Sequence, residues 1–172
     1  MQPLYEELHR SHELQRRLCT RLVRTSARHP GRRESVLREL QIELASHAAA
    51  EERYLYAPML MDDRGLDSSR HALAEHHDID ELVEKLWTMA PDGEAWLDHA
   101  KALTHKVRHH LREEEHKFFQ LSGRILSDAR KLQLARSYER DYRRMQGVMA
   151  TAAPPDTAIG ADTDEAMRMQ DA

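Results

Sequence analysis

ELASHAAAEERYLY, residues Glu43 to Tyr56, carries three consecutive alanines among good helix formers and no glycine or proline, so it reads as helix. Leu37, Leu40 and Leu44 set an apolar stripe, and the same step continues through His47, Glu51 and Leu55. A histidine and a carboxylate one turn apart therefore fall on the side that faces a core. The intrusion recurs further on, where Leu103 and Val107 lead to His110, Glu114, Phe118, Leu121 and Ile125. Again the spacing is His-x-x-x-Glu, and side chains at i and i+4 lie one above the other on one face. Each pair presents an imidazole and a carboxylate to the same small volume.

Composition sets the frame for these two helices. The chain has 172 residues, 40% hydrophobic and 33% charged, with six glycines and six prolines. That is enough for one domain with a sizeable core, and it points to an all-α protein. A net charge of −4 gives no overall sign of a nucleic-acid or anionic-membrane partner. No apolar run approaches the ~18 residues of a membrane span. The first residues, MQPLYEELHRSHEL, hold no secretory core, and the single cysteine, Cys19, has no internal partner. Together these features place the expected location in the cytoplasm.

Turn chemistry at HPGR (29–32), MDDRGLDSS (61–69) and APDG (90–93) separates four helical segments, roughly 3–28, 34–58, 69–89 and 94–125. Long helices with short connections imply an up-down-up-down four-helix bundle over residues 1–126. An accessory helix is expected over 127–150, N-capped by Ser127. Its apolar positions Leu134, Tyr138, Tyr142, Met145 and Met149 would pack across the bundle or against a second subunit, making a homodimer. Residues 151–172 are small, polar and Pro-containing, and read as a flexible tail.

The other two helices each add one histidine to their apolar face. His12 lies with Leu8, Cys19 and Leu22, and His76 with Leu73, Ile79, Val83 and Leu86. Counting residues from the turns at about 1.5 Å each offsets the four positions by zero, about 5 Å and about 8 Å between successive helices. The last offset requires a staggered fourth helix. Two ionised carboxylates in a helical core cost several kcal/mol apiece, against a net stability of roughly 5–15 kcal/mol. No lysine or arginine lies on these stripes to compensate them. A cation does so economically, and a mixed imidazole/carboxylate set suits iron, with manganese or zinc the lesser choices. His12, His47, Glu51, His76, His110 and Glu114 are thus the candidate metal ligands. They suffice for two metals bridged by the two glutamates.

The order His12, His47-x-x-x-Glu51, His76, His110-x-x-x-Glu114 resembles the hemerythrin-like HHE cation-binding family. The words SHELQRRL, HAAAEERYLYAPM, EHHDIDELVEKL and HHLREEEHKFFQL extend the likeness over about residues 4–126. The resemblance implies a four-helix bundle with two non-haem irons. It also implies a small-molecule ligand (dioxygen, hydrogen peroxide or nitric oxide) or a role in iron handling. Oxygen-carrying hemerythrins use five histidines, with His-x-x-x-His on the third helix, whereas Asp80 follows His76 here. One nitrogen fewer points away from reversible oxygen carriage and towards reactivity, with peroxide breakdown the favoured chemistry. A gas sensor, carrier or iron store without turnover is the alternative, and a metal-free interaction bundle a third. The family's proline comes one residue late, at Pro58, and Gln120 replaces it after the second motif.

Neighbouring residues receive plainer readings. His9 shares a face with Arg16, and His77 with Glu81 and Glu84, so both are expected in solvent. His105, His109 and His116 read as a solvated face. Glu52, Glu113 and Glu115 read as surface carboxylates, with an extra or access-path ligand as the alternative. Tyr54 is expected near the stripe as packing. Arg10, Arg17, Arg21, Arg24 and Arg28 form a basic stripe expected to pair with acidic neighbours.

Overall fold

The computed structural model describes residues 3–153, which are all-helical with no strand among them. The expected tail over 151–172 lies outside the described residues beyond Ala153. Five rods follow one another. α1 is Pro3–Val23. α2 is Pro30–Glu51, carried on by a π-helical turn, Glu52–Tyr56, and a last α-helical turn, Ala57–Leu60. α3 is Asp63–Trp87. α4 is Glu94–Glu113, continued by a second π turn, Glu114–Phe118, and by Phe119–Ile125. α5 is Asp128–Thr151.

The turn residues act differently from their expected roles. α1 stops at Val23, where Thr25 folds back and both its N–H and its hydroxyl donate to Leu22 O. Pro30 opens α2 at its first turn, where a missing N–H costs nothing. The MDDRGLDSS stretch contains only a short turn. Asp62 caps α3 by accepting from Arg64 N–H, and the helix runs straight through Gly65. Glycine is needed there for close approach, since a Cβ would lie 2.4 Å from Met59 O. Ser127 caps α5 as expected, accepting from Arg130 N–H.

Two apolar blocks fill the interior. One joins Leu18, Leu22, Leu37, Leu40, Leu86, Trp96 and Leu103 with their neighbours. The other joins Leu4, Leu8, Leu55, Tyr56, Met59, Phe119, Leu134 and Tyr138. Along each of α1 to α3 the histidine lies between the residues given to one block and those given to the other, and on α4 the changeover falls between Leu111 and Phe118, at Glu114. A polar layer is thus sandwiched between dry walls. α5 packs along α1 and α2 of its own chain, burying Leu134, Ala135 and Tyr138. Among the described residues no helix is long and apolar enough to cross a membrane.

Candidate metal centre

All six inward-turned residues are buried, none more than 6% exposed. His12, His47, Glu51 and Glu114 bring one donor atom each within 4.8 Å of one another, and so do Glu51, His76 and His110. Glu51 belongs to both groups. Its Oε2 lies 3.1 Å from His47 Nε2 and 3.5 Å from His76 Nε2. Glu114 Oε2 lies 3.3 Å from His12 Nε2 and 4.0 Å from His110 Nε2. His76 Nε2 and His110 Nε2 face each other at 3.1 Å. Two atoms each about 2.1 Å from one cation sit about 3.0–3.4 Å apart by simple geometry, a spacing met by His47–Glu51, His12–Glu114 and His76–His110 and exceeded by His76–Glu51 and His110–Glu114.

Every one of the four imidazoles is held through its other nitrogen. His12 Nδ1 donates to Glu115 Oε1 at 2.8 Å, and Arg16 holds the opposite oxygen of Glu115 at 2.8 Å. His76 Nδ1 donates to Glu52 Oε1 at 2.8 Å, and His110 Nδ1 to Glu75 Oε2 at 3.0 Å. His47 Nδ1 shares a 2.8 Å hydrogen bond with the Tyr138 hydroxyl. An ionised carboxylate can only accept, so in the neutral rings of His12, His76 and His110 the proton sits on Nδ1 and the Nε2 lone pair is left for a cation. Such partners orient ligands and raise their basicity. Glu52 and Glu115 are thus positioning residues rather than bystanders on the surface. His9 is half-buried, not in open solvent, because its Nδ1 also donates to Glu115 at 3.0 Å. His77, His105, His109 and His116 are exposed as expected. Arg10 and Arg21 of the basic stripe pair with Glu7 and Glu39.

Tyr56 and Phe119 were not anticipated. Each follows its glutamate by five residues, and each π turn closes an i→i+5 bond, from Ala57 N–H to Glu52 O and from Phe119 N–H to Glu114 O. The extra residue in the turn rotates the fifth position inward. Tyr56 hydroxyl donates to Glu114 Oε1 at 2.9 Å, and Phe119 stacks on His12 with centroids 5.8 Å apart. Tyr54, three after Glu51, stays half-buried as packing. π turns concentrate at functional sites.

The charge balance of the metal-free layer is informative. Burial pushes His12 down, but Glu114 and Glu115 outweigh it and hold it up to about 9. Burial likewise opposes, and Glu51 and Glu52 overcome it, in holding His76 up to about 10. Burial would raise Glu51, yet His47 and His76 keep it well below the usual carboxylate range. Burial and the carboxylates of Glu114 and Glu51 push Tyr56 well up, so it keeps its proton. Burial raises the Cys19 thiol to about 11, making it a core residue rather than a nucleophile.

Whether the residues suit a cation can be read from their unmet valences. Seven buried side-chain atoms lack a hydrogen-bond partner among the described residues, and five of them point here: His12 Nε2, His47 Nε2, both Glu51 oxygens and Glu114 Oε2. Buried polar atoms are costly when left unmet, and these are the atoms a cation would satisfy. A cleft of about 300 Å³ reaches His110 and Glu114 at its floor and passes Ala72 and Phe118 to Asp67, His71 and Lys117 at the surface.

An all-helical chain with a buried imidazole–carboxylate layer defines a cation-binding helical protein. The family profile described as Hemerythrin HHE cation binding domain matches residues 4–122, most of the chain, and the protein belongs to that family. No curated protein and no solved structure matches the chain significantly.

Proposed function

We propose that this is a non-haem di-iron protein that reacts with a small oxidant, hydrogen peroxide foremost. The observation that carries the reading is the pair of donor groups sharing Glu51, with their cation-facing atoms otherwise unsatisfied. His12, His47 and Glu114 would hold one ion with Glu51, and His76 and His110 the other. Four nitrogens against two carboxylates leave positions for a small ligand, and mixed nitrogen/oxygen donors suit iron ahead of manganese or zinc. Bound together, two irons supply the redox equivalents that convert two peroxide molecules into two waters and one dioxygen.

The chain's own residues do the rest. The cleft gives a path from the surface to the His110/Glu114 floor. Tyr56 holds Glu114 Oε1 and keeps a hydroxyl proton beside the donor layer. The apolar blocks keep bulk water from the buried carboxylates. Short connections support an up-down-up-down order of α1 to α4, and the lone buried cysteine supports a reducing, cytoplasmic setting.

Iron-loaded protein should release dioxygen from hydrogen peroxide, and His47→Ala or Glu114→Ala should stop it. A fully loaded protein without turnover, but with an optical change on exposure to dioxygen or nitric oxide, would establish the binding role instead. Absence of metal, with no melting shift on adding iron, would leave only an interaction bundle.

A further inference from the structure

Outside the inner six, the surface where α3 meets α4 holds a second set of metal-ligating groups at the mouth of the cleft. His71 Nε2 lies 3.4 Å from Glu113 Oε2 and 3.8 Å from Glu75 Oε2. His109 Nδ1 lies 3.4 Å from Glu75 Oε1 and 3.8 Å from Glu113 Oε2. These separations are too long for strong hydrogen bonds. They approach the about 3.0–3.4 Å expected between two donors of one cation. His71, Glu75 and Glu113 bring donor atoms within 4.8 Å of one another, and His71, Glu75 and Glu113 all line the cleft that ends at His110 and Glu114.

Glu75 ties this cluster to the interior. It is only 4% exposed, and its Oε2, which faces His71, also accepts from His110 Nδ1 at 3.0 Å. One carboxylate thus spans the outer histidines and an inner candidate ligand. Two ammonium groups stand beside the cluster, one at Glu75 and one at Glu113. Lys106 Nζ is 3.6 Å from Glu75 Oε1 but keeps Asp78 at 2.7 Å, and Lys117 pairs with Glu113 from a side chain 75% exposed. Both can yield to a cation, Lys106 because it retains Asp78 and Lys117 because it can turn into water.

We propose that His71, Glu75 and Glu113, with His109 flanking the two carboxylates, form a third divalent-cation site at the mouth of the cleft, which captures metal before it passes to the inner pair. The inference rests on the inner six residues being a metal centre. The capturing carboxylates raise the local cation concentration at the mouth, as fixed charge of one sign does for any counter-ion. Glu75, shared with His110, sits where the cation would next move inward.

The test uses full-length metal-free protein titrated with cobalt(II) against a chromophoric chelator, with loading of the inner pair followed by absorbance and by melting temperature. Wild type should take up a third, weaker equivalent. His71→Ala/His109→Ala, at two exposed positions, should lose that equivalent and load the inner pair about ten-fold more slowly at limiting metal. Lys117→Ala should tighten the third equivalent, because the ammonium competing for Glu113 is gone. Two equivalents and equal loading rates in wild type and the double variant would remove the outer site and leave the inner centre standing. A third equivalent that survives the double variant, or unchanged loading speed, would equally overturn the proposal. No uptake by any of the proteins would instead remove the inner centre, and the outer site's role with it.

Discussion

On the His12/His47 side of the donor layer, α5 lies over α1 and α2, and the Tyr138 hydroxyl meets His47 from a side chain 1% exposed. Phe119 stacks on His12, and Glu115, locked by Arg16, holds the far nitrogen. On the His76/His110 side, among the described residues, α5 makes no comparable packing against α3 or α4. Glu52, which holds His76, has a side chain 41% exposed, and the cleft runs past Glu75 to His110. The imidazoles are covered by α5 and Phe119 in one half, whereas in the other the cleft reaches His110 and, at the boundary of the two halves, Glu114. The difference teaches that wall construction, more than ligand identity, decides where a small molecule can arrive.

The largest expected effect falls on the group both halves share. Glu51→Ala should weaken retention in both at least about 100-fold, seen as loss of metal by elemental analysis after dialysis. Loss of one ion alone would break the symmetry that places Glu51 in both groups.

Acidity should act on both halves together. His12 and His76, held up to about 9 and about 10 against the ordinary 6.5, stabilise the metal-free protein fully below about pH 6.5. That contribution is lost as pH rises through 9 and 10. Metal binding needs the same imidazoles neutral, so affinity should climb across this window. Melting curves with and without zinc should therefore diverge from pH 6.5 to pH 9. A metal-induced gain that stays flat over that interval would contradict the pairing.

Next come the partners of the histidines, one from each half. Tyr138→Phe leaves His47 Nδ1 without a partner where water cannot replace it, and should weaken one of the two equivalents about 10- to 100-fold in a chelator competition. Glu52→Ala removes the corresponding partner of His76 at a solvent-accessible place, so its effect should be several-fold smaller, since water can substitute. Equal losses would erase the covered/open distinction. Smallest for the metal, though not for stability, is Gly65→Ala. The new methyl would press on Met59 O, costing about 1–3 kcal/mol and lowering the melting temperature with metal stoichiometry unchanged.

Much of this was legible in the residues. The two His-x-x-x-Glu pairs on apolar stripes, with His12 and His76 on the remaining two faces, needed only helical periodicity to be recognised. The residues that hold those histidines were not legible. Glu52 and Glu115 carry the same local pattern as any surface carboxylate, and only the approach of a neighbouring helix turns them towards His76 and His12. Glu75 sits one position before His76, where an isolated helix would show it pointing elsewhere. Tyr138 reaches His47 across 91 residues of chain. The MDDRGLDSS stretch misled because glycine serves there for close backbone approach rather than for a turn.

By itself the sequence determined the helices, their apolar faces and the six polar residues set into them, because period and burial preference are properties of each segment alone. Only the tertiary structure decided the two π turns that bring Tyr56 and Phe119 inward, the Nδ1 partners that leave every Nε2 facing the same layer, and which half opens to the surface. Those depend on how rods from distant parts of the chain meet, and a single helix's pattern does not encode its neighbour's register.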